Sequence, residues 1–118
     1  MSKSVMAIAA GFLVLSAATA TAKPVSKCIL KVDGKSYING PCKYDPVPSW
    51  MGSGGFQITK DPWFADISIH EDEVIGWWNG DNVRGKIVPG SHAHSSLGPL
   101  HREGACFVGP RARVCAYR

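Results

Sequence analysis

Residues 63–70 read Trp-Phe-Ala-Asp-Ile-Ser-Ile-His, and this stretch decides the class of fold. Trp63, Ala65, Ile67 and Ile69 would face one way, and the side chains between them would face the other, which is the period of a half-buried strand. No long segment after residue 22 carries apolar residues at helical spacing. The stretch therefore predicts a β-strand in a mostly β domain.

Short strand-like segments and turn signals continue on both sides of this stretch. Strands are predicted over residues 28–32, 35–39, 55–59, 63–70, 73–79, 84–88, 104–108 and 112–117. Tight turns are predicted at residues 71–72 and 79–82, and longer loops at residues 40–54 and 89–103, where Gly and Pro are frequent. This layout predicts an all-β fold, a small antiparallel β-sandwich or barrel of seven to eight short strands.

The chain contains four cysteines, Cys28, Cys42, Cys106 and Cys115. An even number in a small chain predicts two disulfides if the chain is exported, as its N-terminus indicates, and four cysteines allow three connectivities. A zinc–thiolate site is the alternative, but the spacings contain no Cys-x-x-Cys pair and an exported chain meets an oxidising compartment.

Turn chemistry favours local pairing of these cysteines. Asp33-Gly34 between Cys28 and Cys42 is a strong hairpin signal, because both turn positions need positive φ. A four-residue turn at residues 109–112 would place Cys106 opposite Cys115, at the spacing that a disulfide needs. We therefore predict the pairs Cys28–Cys42 and Cys106–Cys115.

The N-terminus predicts export. A short segment with Lys3 precedes a mostly apolar segment, residues 5–19, and then the small residues Ala20-Thr21-Ala22. This order is typical of a cleavable signal peptide, and the apolar segment is short for a membrane anchor. We predict a signal peptide over residues 1–22, a single disulfide-bonded β domain over residues 23–118, and a periplasmic or secreted protein with no membrane span after cleavage.

The charge balance of the chain is mildly basic. It holds 13 Lys and Arg against nine Asp and Glu, and loss of Lys3 with the leader would leave a net charge of +3. The basic residues are spread along the sequence rather than clustered. This pattern does not indicate nucleic-acid binding, and no nucleic-acid partner is predicted.

The predicted long loop at residues 89–103 carries three of the four histidines and several serines. A long loop in a compact domain is typically functional, and this one would form a slim finger rich in hydrogen-bond donors. We predict that it meets a partner. The residues chosen for that contact are Ser91, His92, His94, Ser95, Ser96, His101 and Arg102.

Two other chemistries were considered for the same loop. His92-x-His94 with His101 has the residue types of a zinc site, but the spacing is nonspecific, so we predict neither a metal nor any other cofactor. A small nuclease could use His94, His101, Arg102 and Glu103, but nothing in the sequence brings an acid and a base together. We therefore predict no catalytic residue and no enzyme.

Tryptophans supply an alternative binding mode. Trp77 and Trp78 are adjacent, so in a strand one of them would point outward. Trp50 lies in a segment rich in Gly and Pro. An outward Trp can stack on a sugar ring, although core packing is the commoner role. Trp50 and Trp78 are the candidates for glycan stacking.

Residues 76–80 read Gly-Trp-Trp-Asn-Gly. With this motif, the N-terminal leader, the cysteine-bonded β domain and the loop with Ser and His, the chain resembles the small periplasmic lysozyme-inhibitor proteins of Gram-negative bacteria. Residues 53–56 and 78–80 partly match the Ser-Gly-x-aromatic and Trp-x-Lys-Gly motifs of such inhibitors, but the Lys of the second motif is missing here. No inhibitory residue is carried over.

The resemblance implies a function for the predicted loop. Muramidases cut with a pair of carboxyl groups in a groove, and a loop bearing hydroxyl, imidazole or guanidinium groups could occupy it. The leading hypothesis is a periplasmic protein that inhibits or regulates a lysozyme-like peptidoglycan hydrolase, one with an acidic groove given the charge of +3. The alternatives are a module that binds glycan or peptidoglycan, and a small secreted hydrolase such as a nuclease.

Overall fold

The structure, a computed structural model, describes residues 23–46 and 55–117. The predicted signal peptide and Trp50 lie outside these ranges. The described residues form ten strands and no helix. The strands are β1 (Lys23–Val32), β2 (Lys35–Pro46), β3 (Phe56–Lys60), β4 (Trp63–His70), β5 (Glu73–Trp78), β6 (Gly80–Val83), β7 (Lys86–Pro89), β8 (Ser95–Glu103), β9 (Cys106–Val108) and β10 (Ala112–Tyr117).

Eight of these strands close into an antiparallel barrel in the order β1-β10-β9-β8-β5-β4-β3-β2. Neighbours in the ring are neighbours in sequence, except where β5 meets β8 and where β10 meets β1. Closure satisfies the strand edges that an open sheet would leave exposed. Strands β6 and β7 form a separate two-stranded sheet inserted between β5 and β8. The all-β prediction is confirmed, and of the two architectures it is the barrel.

The alternating strand directions define two ends of the barrel. We call the end with the turns at residues 33–34, 61–62 and 109–111 the hairpin end, because the β6–β7 hairpin emerges there. The opposite end has the turns at residues 71–72 and 104–105. Strand β1 begins and β10 ends at this second end, which we call the terminal end.

The β6–β7 hairpin lies across its end of the barrel. It emerges between β5 and β8, which lie opposite β1 and β2 in the ring. Gly85, Lys86 and Ile87 nevertheless face Val32 and Tyr37 of β1 and β2 across a shared cavity. Ile87 and Tyr37 both pack against the core, so the hairpin covers the barrel interior at this end.

The inward positions of the ring form one apolar core. Seven of the aliphatic side chains there are fully buried, and each except Ala65 contributes about 1.5–3 kcal/mol relative to exposure. They are Leu30, Ile38, Ile58, Ala65, Ile67, Leu97 and Val114. Near the hairpin end, the Trp78 ring packs on Tyr37 and Trp63, with ring centroids 4.7 and 5.7 Å away.

Both predicted disulfides are present, Cys28–Cys42 and Cys106–Cys115. The first joins β1 to β2 and the second joins β9 to β10. Cys28 pairs in register with Ala116, next to Cys115, so the two disulfides lie at one level of the barrel wall. They flank the β1–β10 pairing, which closes the ring through backbone hydrogen bonds.

The predictions from local turn chemistry are confirmed. Strand β4 has the predicted bounds, and Asp33 and Gly34 form a two-residue turn with φ of 51° and 81°. Val108 faces Arg113 and Cys106 faces Cys115, as the four-residue turn required. A short turn sets the register of its two strands through its own residues. These features could therefore be predicted from the local sequence.

The prediction of a loop over residues 89–103 is wrong. Pro89 ends β7, the loop covers only residues 90–94, and residues 95–103 form strand β8. Gly98 and Pro99 suggested a loop, but they sit in a strand whose pairing with β5 shifts register at this level. Gly98 takes a φ of 79°, so the alternation breaks there although the strand continues.

Two further boundaries are corrected. The predicted turn at residues 79–82 is wrong, because residues 80–82 begin β6 and the chain turns at Arg84 and Gly85, with φ of 55° and 82°. Asn82 accepts a hydrogen bond from the Gly85 N–H and supports that turn. The predicted loop at residues 40–54 begins later, because β2 continues to Pro46.

Candidate functional site

The loop at residues 90–94, which we call the anchored loop, is held at its base by Asn79. Asn79 is fully buried between β5 and β6. Its backbone carbonyl accepts from the Gly90 N–H at 2.7 Å, and its side-chain amide donates to the Gly90 carbonyl at 2.9 Å. These two hydrogen bonds fix the first residue of the loop relative to the barrel.

Asn79 also binds the turn between β3 and β4. Its amide nitrogen donates to the Pro62 carbonyl, and its amide oxygen accepts from the Phe64 N–H. Its own N–H donates to the Phe64 carbonyl. Both polar atoms of the buried side chain are therefore paired, as a polar group without access to water requires.

Ser95 holds the other end of the anchored loop. Its hydroxyl donates to the Gly80 carbonyl at 2.6 Å, which ties the start of β8 to the start of β6. This hydroxyl is half-buried and already bonded, so its role is to position the loop. Ser95 was predicted as a contact residue, and the structure places it under the loop rather than on its surface.

The anchored loop presents Ser91, His92 and His94 to solvent. The Ser91 hydroxyl and His92 Nδ1 lie 3.1 Å apart, and the rings of His92 and His94 are 5.2 Å apart. The His94 N–H donates to the His92 carbonyl, which tightens the bend between them. Three of the predicted contact residues thus share one exposed surface.

Ser96 is exposed at the start of β8, close to this surface. Its hydroxyl accepts from the Gly98 N–H, and its carbonyl accepts from the Arg111 guanidinium. Arg111 also pairs with the Asp33 carboxylate at 3.2 Å. The start of β8 is therefore joined to the turns at residues 109–111 and 33–34 of the hairpin end.

His101 and Arg102 lie elsewhere. They are near the far end of β8, roughly 20 Å from Ser95 at about 3.3 Å per residue. His101 pairs with Glu103, and the Arg102 guanidinium lies over the Phe107 ring at 5.6 Å. The structure therefore separates the seven predicted contact residues into a group at the hairpin end and a pair at the terminal end.

This separation also affects the metal and nuclease alternatives. His92 and His94 lie in the anchored loop, whereas His101 is at the opposite end of the barrel. Within residues 23–46 and 55–117, no three His, Cys, Asp or Glu side chains gather in a way that could hold a metal ion. The acid–base residues of the nuclease alternative are separated in the same way, because His94 lies in the anchored loop and His101, Arg102 and Glu103 lie at the terminal end.

The β6–β7 hairpin adds positive charge to the hairpin end. Its exposed tip carries Val83, Arg84 and Lys86, and Val83 is 51% exposed. The anchored loop leaves directly from the end of β7. Sequence reasoning missed this hairpin because it placed the turn at residues 79–82 and read the cations as part of a strand.

The assignment of Trp78 to glycan stacking is wrong. Trp78 is 1% exposed and packs in the core, so neither face of its ring can meet a sugar. The outward member of the pair is Trp77, which is 39% exposed. Its direction could have been read from Glu73, because residues two apart in a strand share a face and Glu73 must face solvent.

Trp77 faces a half-buried carboxylate on the neighbouring strand. It pairs in register with Asp66, which accepts a hydrogen bond from the Gln57 amide at 2.6 Å. Burial raises the pKa of the Asp66 carboxyl above its ordinary value, and the Gln57 hydrogen bond opposes part of that rise. Polar and aromatic groups therefore meet on the outer wall of the barrel beside the anchored loop.

Comparisons with protein-family models, curated proteins and solved structures found no match for this chain. The ranges that the structure describes contain no helix long and apolar enough to cross a membrane.

Proposed function

We propose that this protein binds and inhibits, or regulates, a lysozyme-like peptidoglycan hydrolase, with the hairpin end as its contact surface. The observation that carries the proposal is the anchored loop. It presents Ser91, His92 and His94 to solvent while Asn79 and Ser95 hold its two ends.

Anchoring favours a binding role for the loop. A flexible loop loses conformational freedom when it binds, and that loss weakens the complex. Here the hydrogen bonds of Asn79 and Ser95 have already fixed the loop on a closed barrel. Exposed histidines on such a fixed loop can meet a partner with little reorganisation.

The exposed groups suit the groove of a muramidase. Such enzymes cut with a pair of carboxyl groups, and a protein that fills this groove excludes the glycan strand. The Ser91 hydroxyl and the imidazoles of His92 and His94 can donate hydrogen bonds to carboxylates. Arg84 and Lys86 on the neighbouring hairpin add attraction to an acidic groove.

The proposed location is the periplasm or the cell exterior. It rests on the signal-peptide pattern of residues 1–22 and on the two disulfides, which are typical of oxidising compartments. Such a location would place the protein beside peptidoglycan and the enzymes that cut it.

The test measures binding to a panel of purified muramidases in the absence of peptidoglycan, followed by inhibition of peptidoglycan clearing. We expect the oxidised protein to form a stoichiometric complex with at least one enzyme. Joint substitution Ser91→Ala and His92→Ala should weaken that complex by about tenfold or more, because each side chain gives up a direct contact.

His70→Ala is the matched control, because His70 is an exposed histidine next to the turn at the terminal end. It should leave the affinity unchanged. Absence of a complex with every muramidase would overturn the proposal. Equal affinity of the loop variant and the native protein would overturn the assignment of the hairpin end.

A further inference from the structure

A row of side chains crosses the outer wall of the barrel beside the anchored loop. The strand register pairs Gln57 with Asp66, Asp66 with Trp77, and Trp77 with Ser96. The row therefore spans the four adjacent strands β3, β4, β5 and β8. Paired residues of neighbouring strands share a face, so an exposed indole lies between polar groups on both sides.

A shallow depression lies along this row. It is lined by Asp66, Ser68, Trp77, Ala93 and His94, with a volume of about 440 Å³. Ser68 lies two residues after Asp66 on the same face of β4, and the anchored loop supplies Ala93 and His94. The floor is thus a rigid sheet, and one side is the loop that Asn79 fixes.

The chemistry of the lining suits a sugar ring. A Trp face carries partial negative charge and attracts the C–H groups on one face of a pyranose. The Asp66 carboxylate retains acceptor capacity beyond its bond to Gln57, and Ser68 and His94 can donate or accept. An apolar platform with a few converging polar groups is typical of a small-ligand site.

We propose that this depression binds a glycan through one pyranose ring stacked on Trp77, with Asp66, Ser68 and His94 bonded to its hydroxyl or amide groups. The proposal does not depend on hydrolase binding, since Ser91 and His92 lie outside the depression and only His94 belongs to both surfaces.

The test titrates the oxidised protein with soluble oligomers of N-acetylglucosamine and follows the indole N–H signals by NMR. The Trp77 signal should shift, whereas that of Trp78 should stay in place because its indole nitrogen is buried. Trp77→Ala should weaken binding by about tenfold or more, because it removes the aromatic face on which the pyranose ring stacks. Trp77→Phe should retain part of the affinity.

Tyr117→Ala is the matched control, because Tyr117 has the same 39% exposure but lies on β10, outside the row. It should bind the oligomers like the native protein. Sedimentation with purified peptidoglycan should give the same ranking of variants. The proposal is overturned if the native protein binds neither the oligomers nor peptidoglycan, or if Trp77→Ala binds both as the native protein does.

Muramidase binding separates this proposal from the inhibitor proposal. Trp77→Ala should still form the complex with the enzyme, and the Ser91→Ala, His92→Ala variant should still bind the oligomers. Loss of both activities in either of these two variants would contradict two sites that share only His94.

Discussion

The hairpin end and the wall around the two disulfides hold the same barrel together by different means. At the hairpin end, the buried side chain of Asn79 joins the β3–β4 turn to Gly90 through hydrogen bonds. Around the ring closure, covalent bonds join β1 to β2 and β9 to β10. The first arrangement fixes the position of a surface loop, and the second limits the freedom of the unfolded chain.

The two regions therefore have different roles. The disulfides stabilise the domain, and the hydrogen bonds at the hairpin end hold the anchored loop in position. A disulfide acts mainly by constraining the unfolded state, so it stabilises the whole domain without shaping a distant loop. A buried hydrogen-bond network acts on the folded state and specifies one local geometry. We therefore expect loss of the disulfides to lower the stability of the whole domain. Substitution of Asn79 should lower that stability too, and it should also alter the structure of the hairpin end.

Reduction of both disulfides should give the largest effect. The cysteines of the two pairs are separated by 14 and nine residues. Loops of this length stabilise by about 3 kcal/mol each, so their joint loss should lower the free energy of unfolding by on the order of 5 kcal/mol. Urea unfolding of the oxidised and the reduced protein measures the difference. An unchanged midpoint would show that the disulfides do not support the barrel.

Asn79→Ala should give the next largest effect. It would leave the Phe64 N–H and the carbonyls of Pro62 and Gly90 without the side-chain partner, which should lower the free energy of unfolding by about 3–4 kcal/mol. Urea unfolding measures this loss. Amide exchange at Phe64 and Gly90 should accelerate more than exchange in β1 and β10.

Asn82→Ala is the matched control for this substitution. Asn82 is exposed and accepts a single hydrogen bond, from the Gly85 N–H. Its loss should lower the free energy of unfolding by less than about 1 kcal/mol, because water can replace the bond. Equal destabilisation by the two substitutions would refute the special role of the buried network.

Asp66→Asn should give the smallest effect, and one that depends on pH. Because burial raises the pKa of Asp66 above its ordinary value of 3.8, its contribution to stability is complete below that value and is lost as pH rises through the folded pKa. The amide variant cannot ionise, and its oxygen can keep the bond from Gln57. It should therefore gain stability relative to the native protein as pH rises above about 3.8.

Thermal or urea unfolding at several pH values between 3 and 7 measures this difference. Asp72→Asn is the control, since Asp72 is exposed in the β4–β5 turn and its carboxylate stays in water. A stability difference between native and Asp66→Asn protein that falls with rising pH would contradict the stated effect of burial.

The features of the fold that could be predicted are those fixed by neighbouring residues. Strand β4 shows uninterrupted alternation, and Asp33-Gly34 supplies the positive φ of a two-residue turn. Both disulfides follow from such hairpins, because opposed strand positions bring cysteines together. No distant contact was needed to read them.

The features that could not be predicted depend on tertiary contacts. Asn79-Gly80 looked like a turn, but the barrel uses the Asn79 amide to bind Pro62, Phe64 and Gly90 instead. Gly98 interrupts the alternation of side chains in β8, so the full length of this strand could not be predicted from the sequence. The hydrogen bonds of Asn79 decide the first case and the pairing of β8 with β5 decides the second. Both involve residues that are distant in the sequence.

The candidate site was predicted in part. Ser91, His92 and His94 share one exposed surface, but the long predicted loop placed His101 and Arg102 beside them wrongly. The sequence shows which hydrogen-bonding groups the residues carry. The distance between the anchored loop and His101 depends on whether residues 95–103 form a strand, which the sequence did not reveal. Trp77 was missed because Trp78 was taken as the outward tryptophan, although the face that Trp77 shares with Glu73 already indicated Trp77.

The pairing of β1 with β10 also dictates an order of events during folding. The disulfide hairpins bring together residues 14 and nine positions apart, whereas the ring closes by pairing Lys27 with Tyr117. Closing a long loop loses more chain entropy and is slower than forming local contacts. The barrel therefore cannot be completed until residues near position 117 are available, so a chain that is still being synthesised stays open.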